Sequence, residues 1–198
     1  MKFRDRILNQ LIEKYPAPNF RKEPDKLFEN LIASIISQQL SIKAADTIFL
    51  RFRNIFTTYH PKLVSGSSFP TPHDILRTSD ETMRAIGISF QKISYIKSVA
   101  DACRSGLIDV QKMQTMSDEE IIVTLTQIRG IGKWTAEMIL IFTLGRPDVF
   151  SVDDLGIRNA ITKLYGMTDK KDMVKLAENW KPYRSTACWY LWKSLENK

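Results

Sequence analysis

The stretch Leu125 to Leu144, LTQIRGIGKWTAEMILIFTL, holds the residues whose types and spacing speak most directly to chemistry. Gly130 and Gly132 flank Ile131, and glycine allows both positive φ and a close backbone approach. A turn of that kind at the start of a helix presents bare amides, an array that accepts a phosphate. Lys133 adds a charge beside it that can reach a neighbouring phosphate. The same glycines also suit a plain link between two packed helices, so the turn alone leaves both readings open. Farther along, Asp153 and Asp154 precede the helical stretch Leu155 to Tyr165, a position where a carboxylate commonly caps a helix. Cys103 and Cys188 are too few for a disulfide framework, a four-thiolate zinc site or an all-cysteine iron–sulfur cluster. With His60 and His73 in loop-like segments, metal and thiol catalysis fall away.

The elements that must hold these residues are helical almost throughout. From Lys26 to Gln38 the residues Leu27, Phe28, Leu31, Ile32, Ile35 and Ile36 recur at three and four, which predicts one buried helix. Ser41 offers a cap for a second helix through Ala44, Ala45, Ile48, Phe49 and Phe52. HPKLVSGSSFPTP, between Tyr59 and Pro72, reads as a loop joining two parts of the fold. Thr78 with Glu81 and Ser117 with Glu120 match capping boxes, predicting helix starts near Ser79 and Asp118. Gln91 to Cys103 and Leu176 to Trp192 are helical by spacing, the second with a break at Pro182. In the glycine segment one helix is expected to end at Ile128 and the next to begin near Thr135. The expectation is an all-α, compact, two-lobed helical bundle built as one domain over residues 1–198, with its hairpin at 125–144.

Composition narrows the class. In 198 residues, 29 Lys+Arg against 22 Asp+Glu give a net charge of +7 and a pI of about 9.4, compatible with a polyanionic partner. At 43% apolar and 26% charged residues the chain reads as an ordinary globular protein. Membrane partners are excluded because no apolar run approaches the roughly 18 residues of a span. MKFRDRILNQLIEKYPAP mixes charges with apolar residues and lacks the pattern of a secretion signal, so a cytoplasmic location is expected, with nucleoid association in a bacterium.

LxxIRGIGKWTA resembles the helix–hairpin–helix of the base-excision DNA glycosylases (HhH-GPD superfamily). The resemblance continues through Gly145, Arg146 and Pro147 into DVFSVDDLGIRNAI, with Asp154 lying 154 − 132 = 22 residues past the second hairpin glycine. LIASIISQQLSIKAA and WKPYRSTACWYLW are similar to further segments of its alkylbase branch, the AlkA-type 3-methyladenine DNA glycosylase II. It implies a monofunctional glycosylase that hydrolyses the N-glycosidic bond of alkylated purines in duplex DNA, acting as a monomer in base excision repair. Two alternatives stay open: a non-catalytic hairpin module that binds DNA or damage, and a bifunctional glycosylase/lyase.

By that resemblance Asp154 aligns with the catalytic carboxylate, and Asp153 is left as a structural partner. A fixed carboxylate stabilises the positive charge that develops at C1′ as the bond breaks. Trp134 and Trp192 align with pocket tryptophans, whose faces attract electron-poor alkylated purines. Gly130, Ile131, Gly132, Lys133 and Thr135 align with the strand anchor. Gln39 sits at the family's wedge position with Gln38 as its neighbour, where some relatives carry an apolar residue. The lyase branch places a Schiff-base lysine where this chain has Trp134, and Lys133 points about 100° away on a helix. No catalytic cofactor and no iron–sulfur cluster are implied. The carbonyls of Thr126, Ile128 and Ile131 match a structural Na⁺ or K⁺ site of related proteins.

Overall fold

The apolar stripe from Leu27 to Ile36 is buried in the structure, a computed structural model that describes residues 2–59 and 69–196, side chains 57–59 excepted. In order, the helices are α1 Arg6–Lys14, α2 Leu27–Ser37 after a 3₁₀ turn Pro24–Lys26, α3 Ile42–Tyr59, α4 Pro72–Arg77, α5 Asp80–Ala85, α6 Phe90–Arg104, α7 Val110–Thr115, α8 Asp118–Thr126, α9 Lys133–Phe142, α10 Leu155–Tyr165, α11 Lys170–Glu178 and α12 Arg184–Lys193. Among the described residues there is no strand, so the all-α expectation holds. The chain divides into two compact units, Glu23–Ile139 and a second built from the segment up to Lys22 together with the chain from Leu140 onward.

Within Glu23–Ile139 the core is the meeting of α2 with α6, flanked by α3 and α4. Leu31, Ile32 and Ile35 of α2 and Ile93, Ile96 and Val99 of α6 are fully buried. Each such side chain stabilises the fold by roughly 1.5–3 kcal/mol relative to exposure. Ser117 and Glu120 form the predicted capping box at the start of α8. The expectation at Thr78 shifts by one residue: Ser79 caps α5, accepting from the Thr82 amide. Thr78 instead closes α4, its hydroxyl donating to Asp74 O. His73 belongs to α4 rather than to a loop, because Thr71 and Asp74 form a capping box ahead of it. Most of the expected loop, residues 60–68, lies outside the described residues.

The other unit packs α1, α10, α11 and α12 around Leu8, Ile157, Ile161, Met173, Trp180 and Leu191. Asp5 anchors α1 to it. One carboxylate oxygen accepts from the Ile7 and Leu8 amides, and the other accepts from Tyr165 Oη at 2.9 Å and Trp180 Nε1 at 2.8 Å. Burial, then the charge of Asp5, pushes the Tyr165 phenol far above its ordinary range. The predicted break at Pro182 falls between α11 and α12.

Candidate active site

Asp154 is the N-cap of α10. Its Oδ1 accepts from the Ile157 amide at 2.8 Å and from the Trp192 indole Nε1 at 2.9 Å. Only 9% of the residue is exposed. The capping role and the candidate chemical role therefore fall on one side chain, with Oδ1 committed to both N–H donors. Asp153, its exposed neighbour, pairs instead with Lys170 at 2.6 Å.

The segment leading into Asp154 is fastened to α12. Arg184 grips Asp148 through Nε and Nη2 at 2.8 and 3.0 Å, and Nη2 also donates to Asp148 O. Buried Ser185 donates to Arg146 O and accepts from the Val149 amide. The helix that carries Trp192 thus also sets the path of the chain to Asp154.

Gly156 has a role that sequence reasoning missed. A Cβ there would lie 3.1 Å from Asp154 Oδ1, 3.1 Å from Trp192 Cδ1 and 3.3 Å from Trp192 Nε1. Glycine in the first turn of α10 is what lets the indole edge reach the carboxylate. Its signal in sequence is faint, a glycine two residues after an aspartate. Phe142, also missed, packs on the Trp192 ring with centroids 5.6 Å apart and planes 32° from parallel. Phe20 meets Phe142 and Trp189 edge-on, extending the aromatic group.

In the Glu23–Ile139 unit α8 ends at Thr126 and α9 begins at Lys133, each two residues earlier than expected. The Ile128 amide donates to Leu125 O and the Ile131 amide to Ile128 O, winding the turn tightly between them. Gly130 has φ +93°, and a Cβ there would sit 2.3 to 2.6 Å from the Tyr95 side chain. Gly132 differs: its φ is not in the left-handed region, and an added Cβ would meet nothing within 4 Å. Among the described residues no neighbour requires Gly132 to be glycine. Ile131 and Thr135 are buried, so at Thr135 the main chain, not the hydroxyl, is what the helix start has to offer. Lys133 is exposed and stands 3.7 Å from buried Glu137 one turn on. Trp134 is 46% exposed.

Gln38 donates through Nε2 to Gly130 O at 3.0 Å, which ties the end of α2 to the hairpin. Gln39, next to it, is exposed with φ +58°. That left-handed conformation is costly for a residue with a side chain, by roughly 1–2 kcal/mol. Leu40 and Ile42 are apolar and exposed just beyond it. The donor set of Thr126, Ile128 and Ile131 is main-chain oxygen, chemistry that suits a hard cation. Ile128 O already accepts from the Ile131 amide and keeps a second lone pair. Among the described residues no group of His, Cys, Asp and Glu is arranged to hold a metal ion. No described helix is long and apolar enough to cross a membrane.

Comparison with known proteins matches residues 32–184 to the family model described as "HhH-GPD superfamily base excision DNA repair protein". The chain is 43% identical over 191 residues to DNA-3-methyladenine glycosylase 1 of Schizosaccharomyces pombe, covering 94% of this chain and 80% of that protein. Among solved structures it is similar to the 3-methyladenine DNA glycosylase of that yeast in complex with abasic DNA, with a TM-score of 0.81, 41% identity, and coverage of 98% and 93%. A DNA-3-methyladenine glycosidase from Bacillus halodurans matches with a TM-score of 0.79 and 38% identity over 98% of this chain and 86% of that one.

Proposed function

The chain belongs to the HhH-GPD superfamily of base excision DNA repair proteins, and on that premise we propose that it is a monofunctional DNA glycosylase that removes alkylated purines from duplex DNA. The single observation that carries the reading is the carboxylate of Asp154, held by Ile157 N–H and Trp192 Nε1–H at the head of α10. Such a group is pre-set before the substrate arrives, which is what electrostatic stabilisation of a developing charge requires.

The nucleotide is first rotated out of the stack, because the sugar is out of a carboxylate's reach within the duplex. The amides from Gly130 to Thr135, with Lys133, hold the strand by its phosphates. At Gly132 the open space around the missing Cβ is room for a backbone to approach. Gln39 fills the gap left by the base, flanked by Gln38, Leu40 and Ile42. Trp134 and Trp192 each carry an aromatic face suited to an electron-poor purine, and the carbonyls of Thr126, Ile128 and Ile131 would hold a monovalent cation that screens phosphate charge.

Alkylation at a ring nitrogen such as N3 or N7 makes the purine cationic, so it leaves as a neutral base with the electron pair of the C1′–N bond. One carboxylate then suffices where ordinary glycoside hydrolysis uses two. Asp154 stabilises the cationic sugar, and a water adds to C1′, losing its proton toward that carboxylate. The products are a free base and an intact strand with an abasic site.

The test is chromatography of bases released from methylated duplex DNA, with a strand-break assay on the same reaction. Asp154→Asn keeps a good helix cap while removing the charge. Base release is expected to fall at least about a hundredfold, the scale of a lost electrostatic stabiliser. Release at the wild-type rate by that variant would refute the assignment. Borohydride trapping of a covalent DNA adduct would establish the glycosylase/lyase instead.

A further inference from the structure

Helix α6 presents two side chains, three residues apart, to segments that lie far apart in sequence. The Lys92 ammonium donates to Ile36 O at 2.8 Å and to Gln38 O at 2.7 Å, taking up carbonyls that the end of α2 leaves unpaired. With its main chain pinned there, Gln38 turns its side-chain amide onto Gly130 O, 92 residues on in sequence. Tyr95 lies under Gly130, close enough that even a methyl group there would overlap its ring. Its hydroxyl accepts from Gln91 Nε2 at 2.7 Å, and the Arg129 guanidinium sits 5.9 Å from its ring centroid. Burial lowers the Lys92 pKa, in keeping with an ammonium that has exchanged water for main-chain carbonyls.

We infer that Lys92 and Tyr95 are positioning residues that lock the turn bearing Gln39 to the glycine hairpin, so that the wedge and the strand anchor form one rigid edge. The inference rests on the reading of those two segments as the DNA-contacting edge. The strained φ of Gln39 is maintained from behind by the Lys92 and Gln38 bonds, and the height of the hairpin is set by the Tyr95 ring. Neither residue touches the nucleic acid; each acts through the segment it holds.

The full chain tests this with Lys92→Met, Lys92→Arg and Gln38→Ala. Amide hydrogen exchange of the free protein reads the coupling without any substrate. Lys92→Met is expected to raise exchange at least tenfold in both 37–41 and 128–132, Lys92→Arg to restore protection to within threefold, and Gln38→Ala to loosen 128–132. Extrusion is read by fluorescence of 2-aminopurine beside a tetrahydrofuran abasic analogue in duplex DNA. Lys92→Met should slow it at least tenfold and Lys92→Arg should restore it to within threefold, a rescue that a merely unfolded variant would not show. Exchange that rises in 37–41 alone overturns the coupling, as does wild-type extrusion by Lys92→Met. If the wild-type protein neither extrudes nor releases a base, the functional reading has failed, and the exchange experiment still decides whether the two segments are locked together. If Lys92→Met does not fold, Gln38→Ala decides: unchanged exchange at 128–132 overturns the inference.

Discussion

Gly156→Ala isolates the geometry of the carboxylate from its charge. The glycine lies in the first turn of α10 outside the left-handed region, so alanine fits the backbone there. In an exposed helix the change stabilises by up to about 1 kcal/mol. Here the new methyl meets Asp154 Oδ1 and Trp192 Cδ1 at 3.1 Å, where ordinary contact begins at 3.4 Å, so each must retreat by about 0.3 Å. Those two side chains are bonded to each other at 2.9 Å, and the methyl drives into the contact between them. A hydrogen bond to a charged group contributes roughly 1.5–3 kcal/mol. That bond already exists in the free enzyme, so the rate falls only by what the shift costs at the reacting carboxylate, about tenfold where a full 1 Å displacement costs about a hundredfold. Single-turnover release of 7-methylguanine from duplex DNA, with enzyme in excess, reads the step directly, and the melting temperature should fall by a few degrees at most as the bond is lost and helix propensity offsets part of it. Trp192→Phe removes the same donor by another route, so Gly156→Ala should cost almost nothing further in that background. A Gly156→Ala rate within twofold of wild type, or fully additive losses in the double variant, would refute the reasoning.

The hairpin glycines should separate cleanly. Gly130→Ala combines φ +93° with a collision against Tyr95 and is expected to destabilise the fold by roughly 2–4 kcal/mol, read by chemical denaturation. Gly132→Ala meets nothing within 4 Å and should melt like wild type, yet bind duplex DNA at least about tenfold more weakly in a fluorescence titration. At acid pH the Glu120 carboxylate is held below its ordinary pKa, first by the Ser117 amide and then by its hydroxyl. The stability it adds is present above the unfolded carboxylate range and disappears as pH falls through the lowered folded value. Glu120→Gln should therefore flatten the acid side of the stability profile, measured by melting between pH 2 and pH 6.

What could be read in the sequence was what short-range periodicity and capping chemistry determine. The α2 stripe and the Ser117–Glu120 box depend on residues within a turn or two of one another, and both appear as expected. Thr78 misleads because its hydroxyl has two possible employments, and the carbonyl of Asp74 takes it. At Asp154 the local signal and the resemblance converge on one residue. By contrast Asp5, Gly156 and Lys92 act through partners 36 to 175 residues away in sequence. No local pattern marks them, since a glycine that clears space for an indole edge looks like any other helical glycine.

The unit that carries Asp154 is assembled from both ends of the chain, with α1 and the Asp5 carboxylate docked against Tyr165 and Trp180. During synthesis on the ribosome its first helix must wait, unpaired, while more than a hundred intervening residues emerge. The Glu23–Ile139 unit has all of its parts in hand much earlier and can settle first. The glycine hairpin thus has its unit complete before the unit around Asp154 does, and a chain cut short before α12 keeps Asp154 but lacks the Trp192 indole that holds its carboxylate.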